Sequence, residues 1–389
     1  EGLTAPKLAP RSGYWNFRPP GAAGAPVPCH YVVAGDEGRR EVPPVVFLPG
    51  FGVGTFHYEQ NIEAVSQATG RQVFAIDWLG QGKSWPQNRD DLYGLKLGIE
   101  MWCRQLIDFL ESDVMQRATD IDEGSPKNRR PSRRGSVLVG NSLGGFVASM
   151  VAARRPDLVA GMGLLNPTPF WGLWPPGGAS VTGWDGTLPA PEWHLALGSA
   201  WFDTLRNPAT VQLMLSQVYA SQERCDDALC RDIVAAASRE EGAEVFTSIL
   251  FGGRAPEEFD DLLVAAQSSG IPLTLIYGQN DPWVVPVWGQ RAHRRLRRAV
   301  PYIELEPSGH CPHHESPLCT NAVLVDWLTT LDDEAIPSEQ QSRRLRRPRL
   351  AAPGDSFTIE DTGGHHVTAT RIDGRARSLT EYLAELIWG

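Results

Sequence analysis

The sequence lacks several features that mark common classes of protein. It has no run of about 18 or more apolar residues, so no membrane-spanning helix is predicted. Its six cysteines are scattered and form no C-x-x-C pair, which favours unpaired thiols in a reducing compartment over a metal or disulfide framework. The net charge of −10 argues against nucleic-acid binding. No phosphate loop, dinucleotide loop or carboxylate–histidine cluster is evident, so we expect no cofactor and no metal.

The remaining composition is that of a globular protein large enough for one sizeable domain with an insertion. Hydrophobic residues make up 42% of the 389 positions and charged residues 21%. The first residue is Glu1 rather than Met, so we expect that any targeting segment has been removed. The sequence itself therefore does not report where in the cell the protein is located.

The centre of the chain places one serine between a strand and a helix. An apolar run at 136–139 leads into the pentapeptide GNSLG, and apolar residues at helical spacing begin at Phe146. A G-x-S-x-G sequence in this context predicts the nucleophile elbow of an α/β-hydrolase, with Ser142 on a sharp turn. Gly140 and Gly144 leave room for the strand and the helix to approach each other.

Strand and helix patterns alternate around this elbow, as a parallel sheet with helical crossovers requires. We therefore predict an α/β-hydrolase fold with a mostly parallel central sheet, formed by residues 14–165 and 271–332. Residues 166–270 show helical patterns but no good strand, and they are interpreted as a helical cap over the active-site end of the sheet. Residues 1–13 are predicted to be a flexible N-terminal arm. Residues 333–389 are predicted to form a small C-terminal extension with a linker, a hairpin and a helix.

A serine nucleophile needs a base and a carboxylate, which in this fold follow it in the order Asp or Glu, then His. Asp281 follows a predicted strand at 273–277, although it could instead only form an Asx turn before Pro282. His310 directly follows Pro-Ser-Gly after the predicted strand at 302–305. We therefore predict that Asp281 and His310 complete a triad with Ser142.

Three further residues compete for these roles. His313 and His314 lie close to His310 in sequence, and we expect them to line the mouth of the site or to face solvent. Asp77 also ends a predicted strand, but on the earlier side of the sheet, and is interpreted as a structural turn residue. An aspartate in place of Ser142 would have indicated a dehalogenase or an epoxide hydrolase.

The oxyanion of an acyl-transfer intermediate needs backbone donors near the nucleophile. One is the N–H of Leu143, the residue after Ser142. The other is the N–H of Phe51, in the glycine-rich loop after the predicted strand 45–48, where glycines allow the backbone to approach a ligand closely. We predict that these two groups form the oxyanion hole.

Aromatic residues are concentrated in the predicted cap and near Asp281. They could simply form the core of the cap, but together they favour a large apolar or planar ligand over a sugar or a peptide. The predicted substrate contacts are Phe170, Trp171, Trp174, Trp283 and Trp288. Trp184, Trp193 and Trp201 also belong to this aromatic set.

Six sequence runs together resemble the pheophytinase family of chloroplast hydrolases, which remove phytol from pheophytin. They are LPGFGVGTFHYEQN, DWLGQGKS, GNSLGG, NPTPFWG, YGQNDPWVVPVWG and GHCPHHESP, of which the last three are the more specific. The resemblance implies that Ser142, Asp281 and His310 are the triad. It further implies cleavage of the phytyl ester of pheophytin to pheophorbide and phytol, and a stromal location with peripheral thylakoid contact.

The sequence departs from the family at a long loop, 117–135, at Pro167 and at His314. Two alternatives stay open at this point. One is a chlorophyll dephytylase or another esterase for bulky apolar esters, and the other is a non-catalytic pigment-binding protein on a hydrolase fold. The sequence does not report whether the site distinguishes magnesium-free from magnesium-containing pigments, nor the oligomeric state or the protein partners.

Overall fold

The computed structural model describes residues 9–21, 25–36, 42–119, 135–172, 183–334, 349–362 and 364–372. Within them, one sheet runs through the molecule. Its strands are β1 (Arg11–Phe17), β2 (Val27–Ala34), β3 (Val45–Leu48), β4 (Val73–Ile76), β5 (Ser136–Asn141), β6 (Val159–Leu165), β7 (Leu273–Gly278), β8 (Tyr302–Glu306), β9 (Ser356–Glu360) and β10 (His366–Arg371). Their spatial order is β1-β2-β4-β3-β5-β6-β7-β8-β10-β9.

The middle of this sheet is parallel and both of its ends are antiparallel. Every pair from β4 through β3, β5, β6 and β7 to β8 is parallel. Strands β3, β4, β5, β6 and β7 are buried along their whole length, as expected where helices cover both faces. The predicted mostly parallel α/β-hydrolase sheet is confirmed.

Helices cover the sheet on both faces and fill the connection between β6 and β7. They are α1 (Glu59–Thr69), α2 (Ile99–Glu111), α3 (Asp113–Thr119), α4 (Leu143–Arg154), α5 (Glu192–Leu205), α6 (Pro208–Val218), α7 (Asp227–Ala236), α8 (Gly242–Phe251), α9 (Phe259–Ser268), α10 (Val287–Arg295), α11 (Pro312–Glu315) and α12 (Pro317–Glu334). Residues of α2, α4 and α9 share one hydrophobic core, and residues of α1 and α12 share the core on the opposite face. Among the described residues, no helix combines the length and the apolar character that crossing a bilayer requires.

The part of the helical insertion between β6 and β7 that forms the cap is shorter than the sequence predicts. Helices α5 to α8 lie in this insertion, as predicted for residues 166–270. Helix α9, however, packs on α4, and the ring of Phe259 stacks on that of Phe146 with centroids 5.9 Å apart. This helix is therefore a crossover helix of the core, because it buries its apolar face against the sheet layer rather than over the site.

The two ends of the chain also differ from the sequence prediction. Strand β1 begins at Arg11, so the sheet starts within the predicted flexible arm of residues 1–13. The predicted hairpin is present as β9 and β10, but β10 pairs with β8 and so extends the central sheet. The predicted terminal helix and most of the loop 117–135 lie outside the described residues.

Candidate active site

Ser142 lies on the turn between β5 and α4 in a backbone conformation that few side chains adopt. Its φ is 51° and its ψ −117°. A Cβ atom on Gly144 would lie 2.1 Å from the carbonyl oxygen of Leu48, and one on Gly140 would lie 2.4 Å from the carbonyl carbon of Gly144. Because only glycine fits at both positions, the strand and the helix approach closely enough to hold this strained turn.

His310 and Asp281 form a buried hydrogen-bonded pair on the loops after β8 and β7. His310 Nδ1 lies 2.7 Å from Asp281 Oδ2. The other carboxylate oxygen accepts hydrogen bonds from the backbone N–H groups of Trp283 and Val284, at 2.8 and 2.9 Å. Burial raises the pKa of Asp281, but the charge of His310 and these hydrogen bonds outweigh burial, so the net pKa lies below its usual value. The carboxylate therefore stays ionised and can orient the imidazole.

One cavity of about 420 Å³ connects Ser142 with His310. Its wall is predominantly apolar and comes from α5, α6, α7 and α8 as well as from the loops of the core. The apolar cap residues of this wall are Phe202, Leu205, Val211, Met214, Leu215, Val218, Ile233, Ala236, Ala237, Val245, Phe246 and Ile249. The structure thus brings the nucleophile and the base to the same apolar space, although their catalytic roles stay a prediction.

Asn166 is a site residue that sequence reasoning missed. It directly follows β6 with a φ of 41°, a conformation that asparagine tolerates better than most residues. Its side-chain amide donates to Asp281 Oδ2 at 2.8 Å, and its side-chain oxygen accepts from the N–H of Gly278 at 3.0 Å. Asn166 therefore holds the carboxylate that holds His310. The available signal was an asparagine at the end of the strand next to that of Asp281.

Asn141, next to the nucleophile, fixes the backbone of the histidine loop. Its side-chain amide donates to the carbonyl oxygens of Leu165 and His310, at 3.0 and 2.9 Å. Both Asn141 and Asn166 are buried. Their hydrogen bonds join the ends of three neighbouring strands into one rigid group.

The predicted oxyanion loop lies beside Ser142. A Cβ atom on Gly50 would stand 3.5 Å from the Cβ of Ser142, so the backbone of this loop approaches the nucleophile closely. The neighbouring N–H of Gly52 donates to Gln81 Oε1 at 2.7 Å, which holds the loop in place. The roles of the Phe51 and Leu143 N–H groups stay predictions.

The aromatic residues predicted to contact substrate divide into two groups. Trp171 and Trp283 line the cavity; the ring of Trp171 is 5.1 Å from that of Phe51, and the half-exposed ring of Trp283 is 5.7 Å from that of His310. Phe170 and Trp288 do not line this cavity. Instead, Arg254 lies over the ring of Phe170 and Arg291 over that of Trp288. Trp174 lies outside the described residues.

His313 does not occupy the position predicted for it, and His314 is only partly exposed. His313 is fully buried; its Nε2 lies 3.1 Å from Nδ1 of His57, whose own Nε2 lies 2.8 Å from the hydroxyl of Tyr219. His314 Nδ1 lies 3.2 Å from the same hydroxyl. Burial lowers the pKa of His57 and His313 well below the usual value, and lowers that of His314 to about 4. These histidines are therefore neutral links between the core and the cap.

Asp77 is the structural residue that the sequence predicts. One carboxylate oxygen accepts from the N–H of Thr55 at 2.6 Å, and the other accepts from the N–H of Lys83 at 3.0 Å and lies 2.8 Å from His30 Nδ1. Within the described part of the chain, no group of three or more His, Cys, Asp or Glu residues is arranged to hold a metal ion. All six cysteines are buried and free.

The amino-acid sequence of this chain matches a known protein family. A sequence model described as the alpha/beta hydrolase family matches residues 45–320. The chain belongs to this family.

Individual relatives show how far the similarity extends. The chloroplastic pheophytinase of Arabidopsis thaliana is 33% identical over 332 residues, which are 79% of this chain and 66% of that protein. The (lyso)-N-acylphosphatidylethanolamine lipase of Bos taurus is 23% identical over 75% of this chain and 81% of its own. Among solved structures, a thermophilic esterase from Thermogutta terrifontis superposes with a TM-score of 0.56 at 16% identity, over 82% of this chain and 98% of its own. That last similarity shows the fold alone.

Replacing Asn166 with Ala is expected to lower kcat by about 10- to 100-fold while KM changes little. The variant loses a hydrogen bond to an ionised group, worth about 1.5–3 kcal/mol, which positions Asp281 and through it His310 rather than the substrate. Steady-state kinetics on a soluble ester measures the effect. The control is Asn88→Ala, which removes an exposed amide bonded to Asp91 at 3.2 Å. Equal kcat values for the two variants would contradict a role for Asn166 at the site.

Proposed function

We propose that this chain is a serine carboxylic-ester hydrolase that cleaves the phytyl ester of pheophytin to pheophorbide and phytol. The observation that carries the proposal is the pair of Asp281 and His310, 2.7 Å apart, whose histidine lines the same apolar cavity as the strained Ser142. The similarity to a pheophytinase supports the choice of substrate. The same relative's description as chloroplastic supports a chloroplast location.

The proposed reaction proceeds through an acyl-enzyme. His310 accepts the proton of Ser142, whose oxygen attacks the ester carbonyl, and Asp281 stabilises the imidazolium that forms. The N–H groups of Phe51 and Leu143 stabilise the oxyanion, each contributing about 3 kcal/mol in the transition state. His310 then gives its proton to the leaving phytol, and water activated by His310 releases the acid.

The size of the cavity suggests how such a substrate binds. A cavity of about 420 Å³ is within the range that buries a drug-sized ligand. It therefore has room for either the phytyl chain or the chlorin ring of pheophytin, but not for both. The apolar wall suits the flexible alkyl chain. The planar chlorin would then stack on the half-exposed ring of Trp283 beside His310.

Measurement of phytol release from purified pheophytin tests this function. Wild type is expected to release phytol, and Ser142→Ala to lose at least about 10³-fold of the rate while still binding pigment. The control is Ser149→Ala, which removes a buried hydroxyl that donates to Gly145 O on α4. Full activity of Ser142→Ala would contradict the chemistry. Faster release from chlorophyll than from pheophytin would identify a chlorophyll dephytylase instead.

A non-catalytic pigment-binding protein is the second candidate function. The apolar cavity would serve such a protein equally well. Pigment binding by wild type with no release of phytol or of any other alcohol would favour it over the hydrolase.

We further propose that the cap makes peripheral contact with a membrane. Helix α5 exposes Trp193, Leu197 and Trp201 at four-residue spacing, with 53%, 44% and 49% of each residue accessible. Ala196 and Ala200 are exposed beside them, and the charged Glu192 and Asp203 border this face. Tryptophan on an exposed apolar helix face is typical of interfacial binding, and the next turn of α5 forms part of the cavity wall through Leu205.

The double variant Leu197→Gln/Trp201→Gln is expected to bind phosphatidylcholine vesicles at least about tenfold more weakly than wild type, because it loses two large apolar groups. Co-sedimentation measures the partition. Since the net charge is −10, anionic lipid is not expected to strengthen binding. Leu318→Gln, at an exposed leucine on α12, is the control. Equal partition of wild type and the double variant would contradict the contact.

A further inference from the structure

A buried carboxylate joins the loop of His310 to the cap. Glu315, the last residue of α11, has no exposed surface. Its Oε2 accepts from the N–H of Gly309 at 2.6 Å, and its Oε1 accepts from the N–H of Ser221 at 2.5 Å. The backbone of Ala220 also favours the ionised form of this carboxyl. Its partners thus come from two segments that are far apart in sequence.

The same two segments touch directly through their backbones. The N–H of His310 donates to the carbonyl oxygen of Val218 at 2.8 Å. A Cβ atom on Gly309 would lie 2.2 Å from that oxygen, so only glycine allows this approach. Val218 ends α6 and lines the cavity. The histidine loop therefore rests on the cap segment 218–221.

We propose that Glu315 is a positioning residue that fixes the loop of His310 against the cap segment 218–221. It acts on the reaction through His310 and touches neither Ser142 nor the cavity. The inference rests on the proposed function only in needing His310 as the base, whichever ester is the substrate. Through Glu315, the contact between the cap and the core would set the position of His310, the base of the proposed triad.

A carboxylate suits this position because the surrounding backbone groups are all donors. Glutamine would keep one acceptor oxygen and turn an NH₂ group towards another N–H. An unpaired buried donor is unfavourable, so the amide is expected to let the two segments separate. Two negative oxygens meet the requirement of both segments at once.

The carboxyl of Glu315 itself titrates near neutral pH. Burial raises the pKa of its carboxyl to about 7, and the backbone donors of Ser221, Gly309 and Ala220 offset this only in part. The other titratable groups that act on it are Tyr219 and Cys225 of the cap, Cys311 of its own segment and Asp281 after β7. Burial raises the pKa of Tyr219, Cys225 and Cys311, and that of Asp281 is lowered, so none of these four changes charge near pH 7.

The sign of the pH dependence separates positioning from stability. The pKa of Glu315 is raised by folding, so its contribution to stability is present below the unfolded pKa of 4.5 and is lost as pH rises through about 7. The effect of Glu315 on the position of His310 depends on pH in the opposite direction. The ionised carboxylate accepts hydrogen bonds from all the backbone donors, whereas the protonated carboxyl loses one acceptor. Activity that depends on Glu315 is therefore expected to rise with pH while its contribution to stability falls.

Kinetics of Glu315→Gln on a short soluble ester tests the proposal. At pH 8, kcat is expected to fall at least about tenfold with KM unchanged within about twofold, because the base moves but the cavity remains. The fall of kcat below pH 7 is expected to be shallower in the variant than in wild type. The midpoint of thermal unfolding of wild type relative to the variant is expected to decrease from pH 4.5 to pH 7.

Two further variants keep the result decisive. Glu244→Gln removes a buried carboxylate of α8 that pairs with Arg89 at 2.6 Å, and it is expected to keep the wild-type pH profile. Ser221→Pro deletes one donor from the cap side, and it is expected to lower kcat without contact with Ser142. If Glu315→Gln does not fold, this variant provides the test. Wild-type kcat and pH profile in whichever of Glu315→Gln and Ser221→Pro folds would overturn the proposal, as would equal losses in Glu315→Gln and Glu244→Gln.

Discussion

The hydrogen bond between Asp281 and His310 is the interaction on which the site depends. It exists because β7 and β8 are parallel neighbours, so the loops that follow them begin side by side at the carboxyl edge of the sheet. Asn166, from the end of β6, holds the carboxylate, and Asn141, from the end of β5, holds the carbonyl of His310. Each neighbouring strand thus contributes one hydrogen bond that fixes the pair.

The cap adds a second constraint, because it contacts the loop that carries His310. Tyr219 bonds to His57 and lies within hydrogen-bonding distance of His314, while Val218 accepts from the N–H of His310. These contacts surround the His310 loop with fixed polar groups and leave the cavity wall apolar. The arrangement suits an ester that is itself apolar, since binding then requires little loss of hydration from the protein.

The triad candidates and the parallel sheet could be predicted because strand patterns and glycine-rich turns are local signals. Asn166 was missed since its importance comes from a contact with Asp281, 115 positions later, which no local pattern reports. The sequence predicts His313 and His314 at the mouth of the site or facing solvent, because no local pattern reports that their rings pack against Tyr58 and Tyr219. The sequence places helix α9 in the predicted cap, because an amphipathic pattern does not reveal which surface the helix covers.

Labelling with a fluorophosphonate, followed by peptide mass spectrometry, tests the central claim most directly, because only a serine activated by its base reacts rapidly with this probe. The account predicts one adduct, on the peptide that contains Ser142, formed by the folded wild-type protein and slowed in His310→Ala. An adduct on another residue, or no adduct on a folded and pigment-binding protein, would contradict it.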